Sequence, residues 1–161
     1  MTKFQEIISN LQHINPSKAE LLEEEIDIIQ HKLKFLSKEN LPKTLVLDQK
    51  SNFHSLESVV LAEKINTAGG VYIESLDGNP DCIIILQENE NLYSQLSNVL
   101  DQEKIKATNA YMSNNIYIIQ FAAFNTLDEE YLKDTEILAE ILQPKYFVYG
   151  HDGISWVKFE I

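Results

Sequence analysis

Between an Asn79-Pro80 break and a polar Gln87, the chain carries the uninterrupted apolar run Cys82-Ile83-Ile84-Ile85-Leu86. Such a run is too short for a core helix and leaves no face for water, so it reads as a strand buried on both sides and set in the middle of a sheet. Two similar runs flank it in sequence, Thr44-Leu45-Val46-Leu47 and Ile116-Tyr117-Ile118-Ile119. Helical patterns separate the three, and parallel strands joined by crossover helices are the economical way to connect them. The expected fold class is therefore α/β. At 161 residues and 44% hydrophobic content, the chain has material for one ordinary core, read as one domain over residues 1–161.

The rest of the chain fills in around that sheet. Phe4, Ile7, Ile8 and Leu11 recur at helical spacing up to Asn15-Pro16, where Asn15 is suited to cap a new helix with Pro16 in its first turn. Leu21, Leu22, Ile26, Ile29, Leu33 and Leu36 then form an apolar stripe, predicting a long helix to about Ser37 and a helical strut over residues 1–38. The α/β part spans 41–147. Asn52 or Ser55 is expected to cap a helix containing Leu56, Val59, Val60 and Ala62, stopped by Ala68-Gly69-Gly70 ahead of a short strand at Val71-Tyr72-Ile73. A helix through Leu92, Leu96 and Leu100 leads to a turn over Ala110–Asn115. Thr126 and Glu129 have capping-box spacing for a last helix that ends before Pro144. The tail, 148–161, is aromatic and is expected to pack down or pair, since rings left in water are costly.

A net charge of −12, with 13 Lys and Arg against 25 Asp and Glu, argues against nucleic acid as a partner, because binding phosphates requires clustered cations. It argues equally against an anionic membrane, and no apolar span approaches the ~20 residues that a membrane helix requires. The first residues lack the basic and apolar segments of a secretion signal. The chain reads as unexported and cytoplasmic as it stands, and as periplasmic if it is the trimmed form of a longer one. Cys82 has no partner for an internal disulfide. His13, His31, His54 and His151 have no i+3 or i+4 companions, so no metal site and no cofactor is expected. Ser51, Ser55 and Ser58 lack a nucleophile elbow, and no phosphate cradle is present. No nucleophile, base and orienter set forms, so no catalytic residue is assigned and an enzyme is not expected.

Three segments point to a family. Asn79-Pro80-Asp81-Cys82-Ile83-Ile84 is similar to an Asn-Pro-Asp-Val-Ile-Ile strand, Asn114-Asn115-Ile116-Tyr117-Ile118-Ile119 resembles Lys-Asn-Gly-Arg-Val-Tyr-Val-Ile, and Leu138-Ala139-Glu140-Ile141-Leu142-Gln143-Pro144-Lys145-Tyr146-Phe147 resembles Leu-Ala-Glu-Ile-Leu-His-Pro-Glu-Leu-Phe. These motifs, with Ala68-Gly69-Gly70 in matching order, belong to the helical-backbone substrate-binding proteins of ABC importers for iron-siderophores, haem and cobalamin. The resemblance covers the C-terminal lobe and the helix joining the lobes, and the N-terminal lobe is absent. It implies a three-layer, Rossmann-like lobe and a non-enzymatic binding module for an iron chelate, haem or corrinoid. The missing lobe would be supplied by a homodimer or a second-lobe partner protein, unless the chain is cut from a longer protein that carries it. The alternative is a protein-interaction domain that keeps the fold without the ligand.

Ligands of open α/β sheets sit beyond the carboxyl ends of the strands, and the resemblance implies the same face. The candidate ligand-binding residues there are Asn52, Phe53, His54, Gln87, Phe121 and Phe124.

Overall fold

The computed structural model describes all residues, Met1–Ile161. Three parallel strands form its centre: β1 (Lys43–Asp48), β4 (Cys82–Leu86) and β5 (Ile116–Ile119), with β4 in the middle as the apolar run predicts. Two very short strands complete the β1 side. β2 (His54–Ser55) pairs antiparallel with its end and β3 (Val71–Tyr72) pairs parallel with its start. On the other side, β6 (Trp156–Phe159) lies antiparallel along β5, so the aromatic tail pairs into the sheet.

Alternating side chains divide the core in two, as a sheet's two-residue period demands. Val46, Cys82, Ile84 and Ile119 face one layer, made by α1 (Lys3–Ile14), α2 (Pro16–Leu33), α3 (Val59–Thr67) and α7 (Tyr131–Leu142). Leu45, Leu47, Ile83, Ile85, Ile116 and Ile118 face the other, made by α4 (Leu92–Leu100) with the short α5 (Glu103–Lys106) and α6 (Asn109–Met112). The Cys82 thiol is 4% exposed, and burial pushes its pKa far above the ordinary value. A thiolate is the reactive form. An aromatic disulfide reagent should therefore leave native Cys82 unlabelled for hours and label it fully in denaturant; labelling of the native protein within minutes would mean that β4 opens locally.

Several boundaries differ from the sequence expectation. Asn15 does cap α2, accepting from the Lys18 amide at 3.2 Å. The helix stops at Leu33, however, and Phe35 just beyond it stands 89% exposed, with only the Lys34 ammonium over its ring, 5.5 Å from the centroid. The cap of α3 is Ser58, whose Oγ accepts from the Leu61 amide; Ser55 is engaged in β2, and Asn52 adopts a left-handed turn. The Thr126 hydroxyl donates back to Ala123 O instead of capping, and α7 begins after a 3-10 turn, Asp128–Glu130, without a side-chain cap. The stretch read as a turn over Ala110–Asn115 includes α6, capped by Thr108.

The tail is held by one carboxylate. Glu140, 4% exposed on α7, accepts hydrogen bonds from the backbone amides of Tyr149, Gly150 and His151 at 2.6, 3.1 and 3.2 Å and from the indole Nε1 of Trp156 at 3.0 Å. His151 adds a 2.9 Å contact to Glu136, one turn earlier on the same helix.

Candidate functional site

The carboxyl ends of the three parallel strands are aligned, Asp48 opposite Leu86 and Leu86 opposite Ile119, so the three following loops open at one end of the sheet. The first and second loops are tied by Gln49. Its carbonyl accepts from the amides of Glu88 and Asn89 at 2.7 and 3.0 Å, and its Nε2 donates to Asn89 Oδ1 and Gln95 Oε1 at 2.9 and 3.0 Å. Every hydrogen-bonding position of the side chain is used, which a residue only 8% exposed requires.

Held by that tie, the chain turns sharply at Asn52 and Phe53, both in the left-handed region with φ of 57° and 62°. Asparagine tolerates this conformation; phenylalanine at positive φ is an outlier costing about 1–3 kcal/mol, maintained by the surrounding structure. The turn presents His54 to solvent, with its Nδ1 2.6 Å from Ser51 O. A carbonyl can only accept, so Nδ1 carries the proton. Nε2 then has no partner within the chain and, in the neutral ring, keeps a free lone pair.

The third loop rests on a buried polar network. Lys64 Nζ lies 2.8 Å from Asp134 Oδ2 and 3.1 Å from Asn125 Oδ1, and the Asn125 amide donates to the same Asp134 oxygen at 2.9 Å. The side chains of Lys64 and Asp134 are 3% and 0% exposed. Burial raises the Asp134 pKa above the ordinary carboxylate value despite the attraction of Lys64. The second carboxylate oxygen, Oδ1, has no hydrogen-bond partner.

Of the residues expected to form the ligand face, Asn52, Phe53 and His54 line one lip of a groove of about 580 Å3 beside β1. Gln87 continues the β4–β5 ladder through its amide to Ile119 O and folds its side chain onto Asn89 O. Phe121 is half-buried at the end of β5, with the Lys133 ammonium 3.8 Å from its ring centroid. Phe124 does not belong to the face. It is 4% exposed within the larger core, because the turn over Phe121–Asn125 swings its ring inward. His54 and His151 do not converge: one is on β2 at the first edge of the sheet, the other bonded to Glu136 beside the last strand. No group of three or more His, Cys, Asp and Glu side chains gathers in metal-binding geometry, and no helix is long and apolar enough to cross a membrane.

The sequence reading passed over Gln49, Lys64 and Asp134. For the buried pair a signal exists: Lys64 falls in the core-facing row Leu61, Ile65, Ala68, and Asp134 in the row Tyr131, Leu138, Leu142. A charge at a core position of each of two facing helices calls for a partner.

No protein-family model and no curated protein matches the sequence. Solved structures do match in fold. An ABC transporter solute-binding protein from Sulfurospirillum deleyianum superposes with a TM-score of 0.66 at 13% identity, over 90% of this chain and 53% of that one. The haem complex of Staphylococcus aureus IsdE gives 0.65 at 18% identity, over 87% and 63%. A periplasmic haem-binding protein from Pseudomonas aeruginosa gives 0.64 at 14%, over 89% and 61%. The present chain thus spans between about half and two thirds of the length of these proteins. Its fold is that of one lobe of the ABC-transporter substrate-binding proteins.

Proposed function

We propose that residues 1–161 act as one non-enzymatic binding domain that takes haem, or a related iron chelate or corrinoid, on the face at the carboxyl ends of β1, β4 and β5, opposite a second lobe that lies outside these residues. His54 carries this reading. An imidazole whose Nδ1 proton is held by a backbone carbonyl while Nε2 stands free is oriented as histidines that ligate metals are; here the metal would be the cargo's own iron or cobalt. Asn52, Phe53, Gln87 and Phe121 supply the surrounding contacts. The fold supports the reading, as do the haem-binding proteins among its structural neighbours.

The test is a titration with haem, a ferric siderophore and cobalamin, followed by the absorbance of the ligand and the fluorescence of Trp156. Saturable binding of one of them at micromolar or better affinity is expected. His54→Ala should weaken it at least about tenfold, the equivalent of ~1.4 kcal/mol, and alter the ligand's visible spectrum. No saturable response to any of the three would refute the reading.

A second reading, a domain serving protein contacts alone, rests on the side chains that the Glu140-bound tail displays: Val148 is 88% and Ile154 76% exposed. Light scattering separates the two. A dimer that dissociates in Val148→Asp/Ile154→Asp, in a protein that binds none of the three ligands, would favour contacts over cargo.

A further inference from the structure

The groove beside β1 extends well past His54, along α4 to Ile105 on α5 and Leu76 before β4. It lies at the outer margin of the α4 layer. On that face α4–α6 pack on residues of β1, β4 and β5, and on its side away from β4 strand β1 is flanked only by two-residue strands. Leu47, Phe53, Val99 and Ile105 are apolar elements of its lining; Ser94, Gln95 and Asn98 line the α4 wall, and Gln102, in the turn between α4 and α5, extends it. None of its 11 lining residues is Asp, Glu, Lys or Arg, although such residues make up 24% of the chain. Its volume, about 580 Å3, is in the range of small-molecule sites.

Charged groups entering such a groove would lose hydration and find no counter-charge. Apolar surface would be covered, and amide side chains would satisfy neutral polar edges. A peptide strand is disfavoured, because β2 and β3 already occupy the outer edge of β1. We propose that this groove seats the uncharged edge of the ligand and that the ligand's ionic substituents remain outside, contributing nothing to affinity. The proposal rests on the haem reading above and adds to it a specificity: the preferred cargo presents a neutral face to α4.

Haem and its dimethyl ester, in which two carboxylates are replaced by uncharged methyl esters, are the probes, with the full chain and with Asn98→Trp. Asn98 is exposed on α4, so the indole fills the groove without disturbing the core. The ester is expected to bind within about threefold of haem or more tightly, affinity should not weaken as NaCl is raised from low to high concentration, and Asn98→Trp should cost at least about tenfold. An ester bound more than tenfold more weakly, affinity that collapses with salt, or an Asn98→Trp variant that binds normally would each overturn the proposal. If His54→Ala abolishes binding and Asn98→Trp does not, the haem reading stands and the groove assignment falls; if the wild-type chain binds neither probe, both fall.

Discussion

Lys64→Met is expected to lower the unfolding free energy by about 3–5 kcal/mol, because it leaves the Asp134 carboxylate buried without its counter-charge. For a chain of this size that corresponds to a fall in melting temperature of roughly 6–20 °C. The double variant Lys64→Met/Asp134→Leu should recover most of the loss. A buried ion pair is often replaceable by apolar side chains of similar volume, and here one carboxylate oxygen lacks a partner even in the native pair. A residual deficit of about 1–2 kcal/mol is expected, since the Asn125 amide and Oδ1 lose their partners. The pH dependence has a definite sign. The Asp134 pKa is raised in the folded state, so the folded chain holds the extra proton between the unfolded value, about 3.9, and the folded one. The group's contribution is most favourable below that window and declines as pH rises through it. Without Lys64 the window extends further upward, so the deficit of Lys64→Met should be greatest near neutrality and shrink on acidification. Urea melts at several pH values measure it; a deficit that grows on acidification would mean that the Lys64 charge is not what holds Asp134 in place.

Glu140→Ala should be nearly as damaging, at about 3 kcal/mol, or roughly 6–12 °C in melting temperature. Three part-buried backbone amides and a buried indole N–H lose their common acceptor, and the buried donor left unpaired carries a desolvation penalty. Trp156 pairs with Ile119 at the start of β6 and is 7% exposed, so its emission should shift to the red as the tail loosens. Glu140→Gln should lie between the two, because an amide offers one acceptor oxygen where the carboxylate offers two. Wild-type stability in Glu140→Ala would show that the tail holds by strand pairing alone.

Gln49 and Glu140 mark where sequence reasoning ends. The central strands, the break at Asn15-Pro16 and the order of the helices were legible because apolar periodicity is local: Ile83, Ile84 and Ile85 announce a buried strand whatever lies elsewhere in the chain. Gln49 and Glu140 look like ordinary polar residues, since their partners lie 39–46 and 9–16 residues away and hydrogen bonding across such distances leaves no period. At the site, the sequence located the loops that follow the strands. The inward turn of Phe124 and the orientation of the His54 ring depend on backbone geometry that residue types do not specify, as the positive φ of Phe53 illustrates.

The Gln49 side chain has a mechanical consequence. With both its ends bonded to the loop after β4 and to α4, the turn carrying Asn52–His54 cannot swing by itself; moving it means breaking four hydrogen bonds or dragging the start of α4 along. The face is then a plate and not a set of fingers. On the function proposed above, a guest would meet groups already in position and pay little to order them, and motion enclosing it would have to come from a rigid-body approach of another surface.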